Sequence, residues 1–378
     1  MMIRSVDIYI LDIPTVRPHQ LAMHTITAQS IVVARITNEA GQEGWSEVAT
    51  IGGASYGEGT VEAIKANIDQ YITPHIIGKE LADFSKIMFE VSKVVRGNNF
   101  AKAVVEEALI DLVAKSKNVP AYELLGGKIH DSLPLAWTLA SGDTGKDIEE
   151  AKEFLRQKRH KIFKLKIGKG DPFKNVDHVL KIIAAVGDKA RVTVDVNQAW
   201  DETTANYCIE KLQAGGVSMV EQPLPTWNYE GMARLTERFM VPIMADEAAN
   251  SVQDVFQITK HRYGNCIALK PCKHGGLLET KKVAAIAEGA GFGLYGGTMI
   301  ESSLGTAACA AVYATISEFE FGTEIFGPLL FKDRITTDEI QFENFEIIIP
   351  DGPGFGMEID LDKVKHYARD YSYSLSLK

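Results

Sequence analysis

The sequence predicts an α/β protein of two units, a (β/α) barrel joined to an α+β unit, and three observations carry that prediction. Short apolar runs close on charged residues: Lys164 and Lys166 in IFKLKIG, Asp195 in VTVDVN, Glu221 in MVEQPL, Asp246 in IMADEA and Lys270 in IALKP. From Lys166 onward the gaps are 29, 26, 25 and 24 residues. That regularity is expected of successive βα units, each strand delivering a charged side chain to a common mouth. A chain of 378 residues exceeds one ordinary domain and suits a barrel of about 250 residues plus a second unit of roughly 100 or more. The grain of the chain also changes once, from a strand meander with helices to short β-rich runs that alternate with helices.

Each element follows from local pattern. VDIYIL and SIVVARIT alternate as strands, and the turn Asn38 to Gly41 leads into EGWSEV, which gives a three-stranded meander. Apolar residues recur three and four apart in TVEAIKANIDQYITPHII, DFSKIMFEVSKVV and AKAVVEEALIDLVAKSKN, the helical period. From LPLAWTLA onward, short strands are separated by DIEEAKEFLRQKR, PFKNVDHVLKIIAAVG, ETTANYCIEKLQAG and ETKKVAAIAEGAG, which implies a parallel barrel with right-handed crossovers. After EFEFGTEIFGP come QFENFEIIIP and the turn DGPGFG. The expected division is residues 1–130 for the α+β unit, 131–328 for the barrel, and 329–378 for a C-terminal segment that returns to the first unit.

Composition narrows the function. With 46% hydrophobic and 24% charged residues and a formal net charge of −10, the chain is globular and ill suited to nucleic acid or an anionic membrane. Cys208, Cys266, Cys272 and Cys309 form no CxxC pair, so neither a disulfide framework nor a zinc site is expected. The N-terminus MMIRSVDIYILDIP reads as a strand, not as a secretory signal or a spanning helix. A cytoplasmic enzyme of small-molecule chemistry is the expectation.

A single carboxylate at a strand end is commonly a helix cap or a solvated group. Asp195, Glu221 and Asp246 differ because all three arrive where barrel enzymes keep their chemistry. Close together they would repel and take up protons unless a divalent cation held them ionised. An all-oxygen set favours Mg²⁺ or Mn²⁺ over zinc. Lys164 and Lys166, two apart on one strand, both face the interior, where burial beside other cations can bring a lysine pKa down toward that of a general base. Lys270 lies four strands further round, on the opposite side. A cation on one side and lysines on two faces suit proton transfer next to a carboxylate, through an enediolate whose charge the cation offsets.

These motifs resemble the enolase superfamily, in the subgroup of muconate lactonizing enzymes, over nearly the whole chain. The resemblance rests on K-x-K at Lys164 and Lys166, D-x-N at Asp195 and Asn197, E-Q-P from Glu221 to Pro223, D-E at Asp246 and Glu247, and Lys270. PTVRPHQLAMHT, TIGGASYG, RGNNFAK, GLYGGTM and TEIFGPLL extend it. It implies a modified TIM barrel, (β/α)7β, with an α+β capping domain, and a homo-oligomer. It also implies Asp195, Glu221 and Asp246 as metal ligands, Lys166 and Lys270 as acid/base residues, Lys164 as a supporting cation near the substrate carboxylate, and Glu247 behind Lys270. Ile51 and Tyr56 would sit on a lid loop, and Asn197, Glu324 and Phe326 would contact the substrate. The small-molecule substrate implied is a carboxylate, cis,cis-muconate, closed to muconolactone with Lys166 protonating the enolate.

The same residues can build a racemase, an epimerase or a dehydratase, for example one acting on cis-3-hydroxyproline. His274, Glu301 and Ser302 point that way if they rim the pocket, where they could pair with a hydroxyl or an amine. A barrel serving as a non-catalytic binding scaffold would show a broken ligand or lysine, and none is broken here.

Overall fold

The structure, a computed structural model, describes residues 1–20, 25–56 and 59–369. Strand alternation places β1 (Ile3–Gln20), β2 (Thr25–Asn38) and β3 (Glu43–Ala49) in one antiparallel sheet, in that order. The turn between β2 and β3 is closed by Asn38, whose Oδ1 accepts from Ala40 N and Gln42 N at 3.0 Å. Helices α1 (Val61–Asn67) and α2 (Thr73–Ile76) are joined by one wide π turn, and α3 (Phe84–Val94), α4 (Asn99–Lys117) and α5 (Ala121–Leu124) follow. Helix α4 is buried along most of its length and packs on β3. Gly44 permits that approach, because a Cβ there would meet Ala108 O at 2.2 Å.

The barrel follows a short strand β4 (Ser132–Pro134). Its staves are β5 (Ala136–Leu139), β6 (Ile162–Lys166), β7 (Arg191–Asp195), β8 (Val220–Glu221), β9 (Ile243–Ala245), β10 (Cys266–Leu269) and β11 (Gly293–Gly296), parallel and in sequential order. The crossovers carry α6 (Thr144–Arg156), α7 (Pro172–Val186), α8 (Glu202–Ala214), α9 (Tyr229–Arg238), α10 (Val252–His261), the single turn α11 (Pro271–His274), α12 (Leu277–Gly289) and α13 (Ser303–Tyr313). Thr323 closes the ring: it bridges Gly296 on one side and Leu135, just before β5, on the other. The eighth stave is thus almost a single residue. The fold is a modified (β/α) barrel with a separate antiparallel cap.

Strand β12 (Phe342–Glu343) pairs with β13 (Glu346–Ile348), which pairs with β4, and α14 (Leu361–Tyr367) packs beside β1. Arg369 ties this segment to β1, its backbone N–H donating to Ile10 O at 2.7 Å and its guanidinium to both Asp12 oxygens at 2.6 Å. Residues 370–378 of the expected C-terminal segment lie outside the described residues. All four cysteines are free and buried. Among the described residues no helix is long and apolar enough to cross a membrane.

Candidate active site

Strand register builds the site. Lys166 pairs with Asp195, Asp195 with Glu221, and Glu221 with Met244, so Asp246, two residues beyond Met244, returns to the same face. The three acids are at most 1% exposed. Each meets an ammonium group. Lys166 Nζ is 2.5 Å from Asp195 Oδ2, Lys164 Nζ is 2.6 Å from Glu221 Oε2, and Lys270 Nζ is 2.7 Å from Asp246 Oδ2. Lys164 also donates to Glu324 Oε2 at 2.6 Å, while Thr138 takes Oε1 at 2.6 Å. Glu324 reaches the centre because it follows Thr323 in the closing stave. Its carboxylate and Lys164 are both buried, with the Tyr295 ring 4.7 Å from Lys164 Nζ.

The turns after the strands are strained where they serve these acids. Asn197, Gln198 and Gln222 all have positive φ, 46°, 68° and 32°, a conformation that costs free energy for residues other than glycine. Asn197 gains in return a backbone bond to Asp195 Oδ1 at 2.9 Å and side-chain bonds to Asp195 Oδ2 and Glu247 Oε1 at 3.2 Å. Gln222 Oε1 accepts from Asp246 N at 3.1 Å and Ala248 N at 3.2 Å, fixing the turn after β9. From the cap, the Tyr56 hydroxyl donates to Asp246 Oδ2 at 2.6 Å and accepts from Lys270 Nζ at 2.7 Å. Ile51 is buried at the start of the same loop, and Phe326 packs on Trp137 with ring centroids 4.9 Å apart.

Electrostatics follow from this crowding. Burial, reinforced by Asp195 and Asp246, pushes Glu221 well above the carboxylate range against the pull of Lys164. Burial, then Asp246 and Asp195, lifts Glu247 to about 7. Burial also opposes ionisation of Asp246 and Glu324, but Lys270 and Lys273 hold Asp246 well below its ordinary value, and Lys164 and Lys166 bring Glu324 to about 2. The lysines do not become weak acids of near-neutral pKa, as their burial suggested from sequence. Burial lowers Lys166, Lys164 and Lys270, yet the carboxylates against them outweigh it and raise all three.

The donor set fits a hard divalent cation. Glu221 Oε2 lies in ion-pair range of Lys164 without a hydrogen bond, and Asn197 Oδ1 and Glu247 Oε2 are buried with no hydrogen-bond partner, so oxygen acceptors remain available beside the three acids. Among the described residues no three His, Cys, Asp or Glu side chains converge as a ready cage. Lysine heads take the intervening oxygens, so the carboxylates would have to turn from their ammonium partners to share one ion.

Two parts of the site differ from expectation. His274 and Ser302 line cavities away from the lysine and acid row, His274 beside Asn99 and Glu106 and Ser302 beside Phe331 and Asp333, and Glu301 lines neither. All three are at most 4% exposed. His274 Nδ1 lies 3.3 Å from Asn250 O, Glu301 accepts from Met299 N at 3.0 Å, and Ser302 gives its N–H and hydroxyl to Glu47. Lys273, which spacing did not single out, is instead at the centre, 2.8 Å from Asp246 Oδ1. Its signal was a second lysine one helical turn after Lys270.

Residues 5–126 match the family described as mandelate racemase / muconate lactonizing enzyme, N-terminal domain, and residues 146–364 match enolase C-terminal domain-like. The chain belongs to the muconate lactonizing enzyme subgroup of the enolase superfamily. Muconate cycloisomerase 1 of Acinetobacter baylyi is 45% identical over 369 residues, 97% of this chain and 100% of that one. A chloromuconate cycloisomerase of Delftia acidovorans is 43% identical, covering 98% and 100%. The crystal structure of muconate lactonizing enzyme from Pseudomonas fluorescens complexed with muconolactone superposes with a TM-score of 0.96 at 43% identity, over 97% of this chain and 99% of that one.

Proposed function

We propose that this chain is a muconate cycloisomerase, closing cis,cis-muconate to muconolactone with a divalent cation, Mg²⁺ or Mn²⁺, held by Asp195, Glu221 and Asp246. The observation that carries the proposal is the placement of Lys166 and Lys270 at opposite ends of the acid row, on Asp195 and on Asp246, in a chain matched end to end by muconate cycloisomerases. When bound, the cation offsets the negative charge that develops on one substrate carboxylate as the other adds across the double bond.

The chain's own groups do the rest. Lys166, whose side chain is 13% exposed against 1% for Lys164 and 5% for Lys270, is the ammonium most open to a ligand and delivers the proton to the α-carbon of the enolate. Lys270 remains charged on the far face, its head held by Asp246 and by Tyr56. Tyr56 lines a cavity with Glu247, Asn250 and Lys273 and would have to release Asp246 and Lys270 for a ligand to reach them. Lys164 keeps Glu324 ionised beneath the site. Dehydration or racemisation of a proline derivative loses its specific support, because His274 and Ser302 line cavities whose walls include none of Lys164, Lys166 and Lys270, and Glu301 is bonded to Met299 N and Thr298.

The test is incubation with cis,cis-muconate, and separately with a panel of proline derivatives, in D₂O with Mg²⁺ or Mn²⁺. Muconolactone carrying one solvent deuterium at the α-carbon is the expected product. Deuterium entering a proline derivative, with muconate left unchanged under either cation, would sink the proposal.

A further inference from the structure

Lys273 occupies the single helical turn that follows β10 and is 2% exposed. Its ammonium has three donors and finds three acceptors: Asp246 O at 2.6 Å, Asp246 Oδ1 at 2.8 Å and Ala268 O at 3.1 Å. All of its bonding capacity is spent on one residue and on the neighbouring strand. The turn that carries it is held from outside as well. Asn99 at the start of α4 donates to Lys273 O at 2.8 Å, and Tyr313 of α13 donates to Leu269 O at 2.6 Å. Asp246 lies just beyond the end of β9, where Gln222 Oε1 holds its N–H and Ala249 N bonds its carbonyl. Lys273 adds a second bond to that carbonyl and is the group that ties carboxylate oxygen Oδ1 to β10. The other oxygen, Oδ2, then faces Lys270 and Tyr56.

We propose that Lys273 is a positioning residue that fixes Asp246 for the divalent cation, taking Oδ1 and the main-chain carbonyl so that Oδ2 is presented to the site. The proposal rests on Asp246 being a metal ligand. A compact ammonium suits three acceptors spread around a point, which the planar fork of arginine does not. Its charge alone would act in the other direction, since a buried cation beside a metal site repels the metal. Positioning and charge therefore predict opposite changes in affinity when the ammonium is removed.

The experiment measures Mn²⁺ binding by electron paramagnetic resonance of the free ion, together with Tm of the metal-free protein, for the parent chain, Lys273→Met and Lys273→Gln. Removing a group that orients a ligand weakens metal binding about 10- to 100-fold, and Lys273→Met is expected in that range. Lys273→Gln, which keeps a donor for Oδ1 without the charge, should recover part of the loss. Tighter or parental Mn²⁺ binding by folded Lys273→Met overturns the proposal. Should Lys273→Met fail to fold, Lys273→Gln decides, weaker binding supporting the proposal and parental binding overturning it. A parent chain that binds no Mn²⁺ would instead remove the metal reading on which this rests, so the two failures are distinguishable.

Discussion

Two groups of buried carboxylates sit a short way apart in this molecule and are solved by different chemistry. At the mouth, Asp195, Glu221 and Asp246 each face a lysine. At the seam between cap and barrel, Glu47, Glu106, Glu107 and Glu301 are just as buried, and among the described residues none of the four is in an ion pair. Glu47 accepts from the Ser302 backbone and hydroxyl, Glu106 from Leu277 N and Leu278 N at the start of α12, and Glu301 from Met299 N and the Thr298 hydroxyl. Burial dominates there, lifting Glu47 to about 7, Glu106 to about 8, and Glu107 and Glu301 above their ordinary value. At the mouth, lysines overcome the same burial for Asp246 and Glu324. Glu221 is raised like the seam acids, by burial and by Asp195 and Asp246, so the difference between the two groups lies in the lysines set against the mouth acids, which a cation can replace as counter-charge.

The sharpest way to break this contrast is to remove one group from each side. Lys166→Ala deletes the proposed proton donor, and loss of a general acid costs about 10²- to 10⁴-fold in rate. Its kcat on cis,cis-muconate should fall by that factor. Glu47→Gln, at the seam, should hold kcat within a few-fold of the parent. Comparable losses in both variants would mean that the mouth has no special role.

Stability should divide the same way. Asp246→Asn leaves Lys270 and Lys273 buried without their counter-charge, and breaking a buried pair costs about 3–5 kcal/mol. A marked fall in Tm without metal is expected, with loss of the upward shift that Mg²⁺ or Mn²⁺ gives the parent. Glu301→Gln replaces an acid that has no ion-pair partner among the described residues and should lower Tm much less. An Asp246→Asn protein that still gains Tm on adding either cation would remove Asp246 from the ligand set.

Strand spacing made much of the mouth legible, because a strand-end side chain points where its register sends it. Asp195, Glu221 and Asp246 meet along neighbouring strands for that reason. The seam was not legible. His274, Glu301 and Ser302 stand close in sequence to the mouth, and only the packed chain shows Ser302 bonded to Glu47 and His274 lining a cavity apart from Lys164, Lys166 and Lys270. Glu324 could be placed near the site by resemblance, but its bond to Lys164 joins residues 160 apart through a stave that is almost one residue long. No local period announces such a stave. Lys273 was hidden because a one-turn helix has too little length to show helical periodicity.

The smallest expected effect tests the seam through pH. Glu106, at about 8, is far above the value of 4.5 for an unperturbed glutamate, so the folded chain holds a proton that the unfolded chain releases. A raised carboxyl pKa contributes stability that is complete below about 4.5 and is lost as pH rises through the folded value. Glu47, at about 7, adds to the same trend. The buried His19, His160 and His274, all lowered by burial to about 3, are neutral in both states above pH 7 and add nothing there. Tm of the metal-free protein should therefore decline between pH 7 and pH 9. Glu106→Gln keeps an acceptor for Leu277 N and has no proton to lose, so its decline should be shallower by several degrees across that range. Parallel curves for Glu106→Gln and the parent would show that Glu106 is already ionised at the seam, and the contrast between the two groups of acids would then lie in geometry alone.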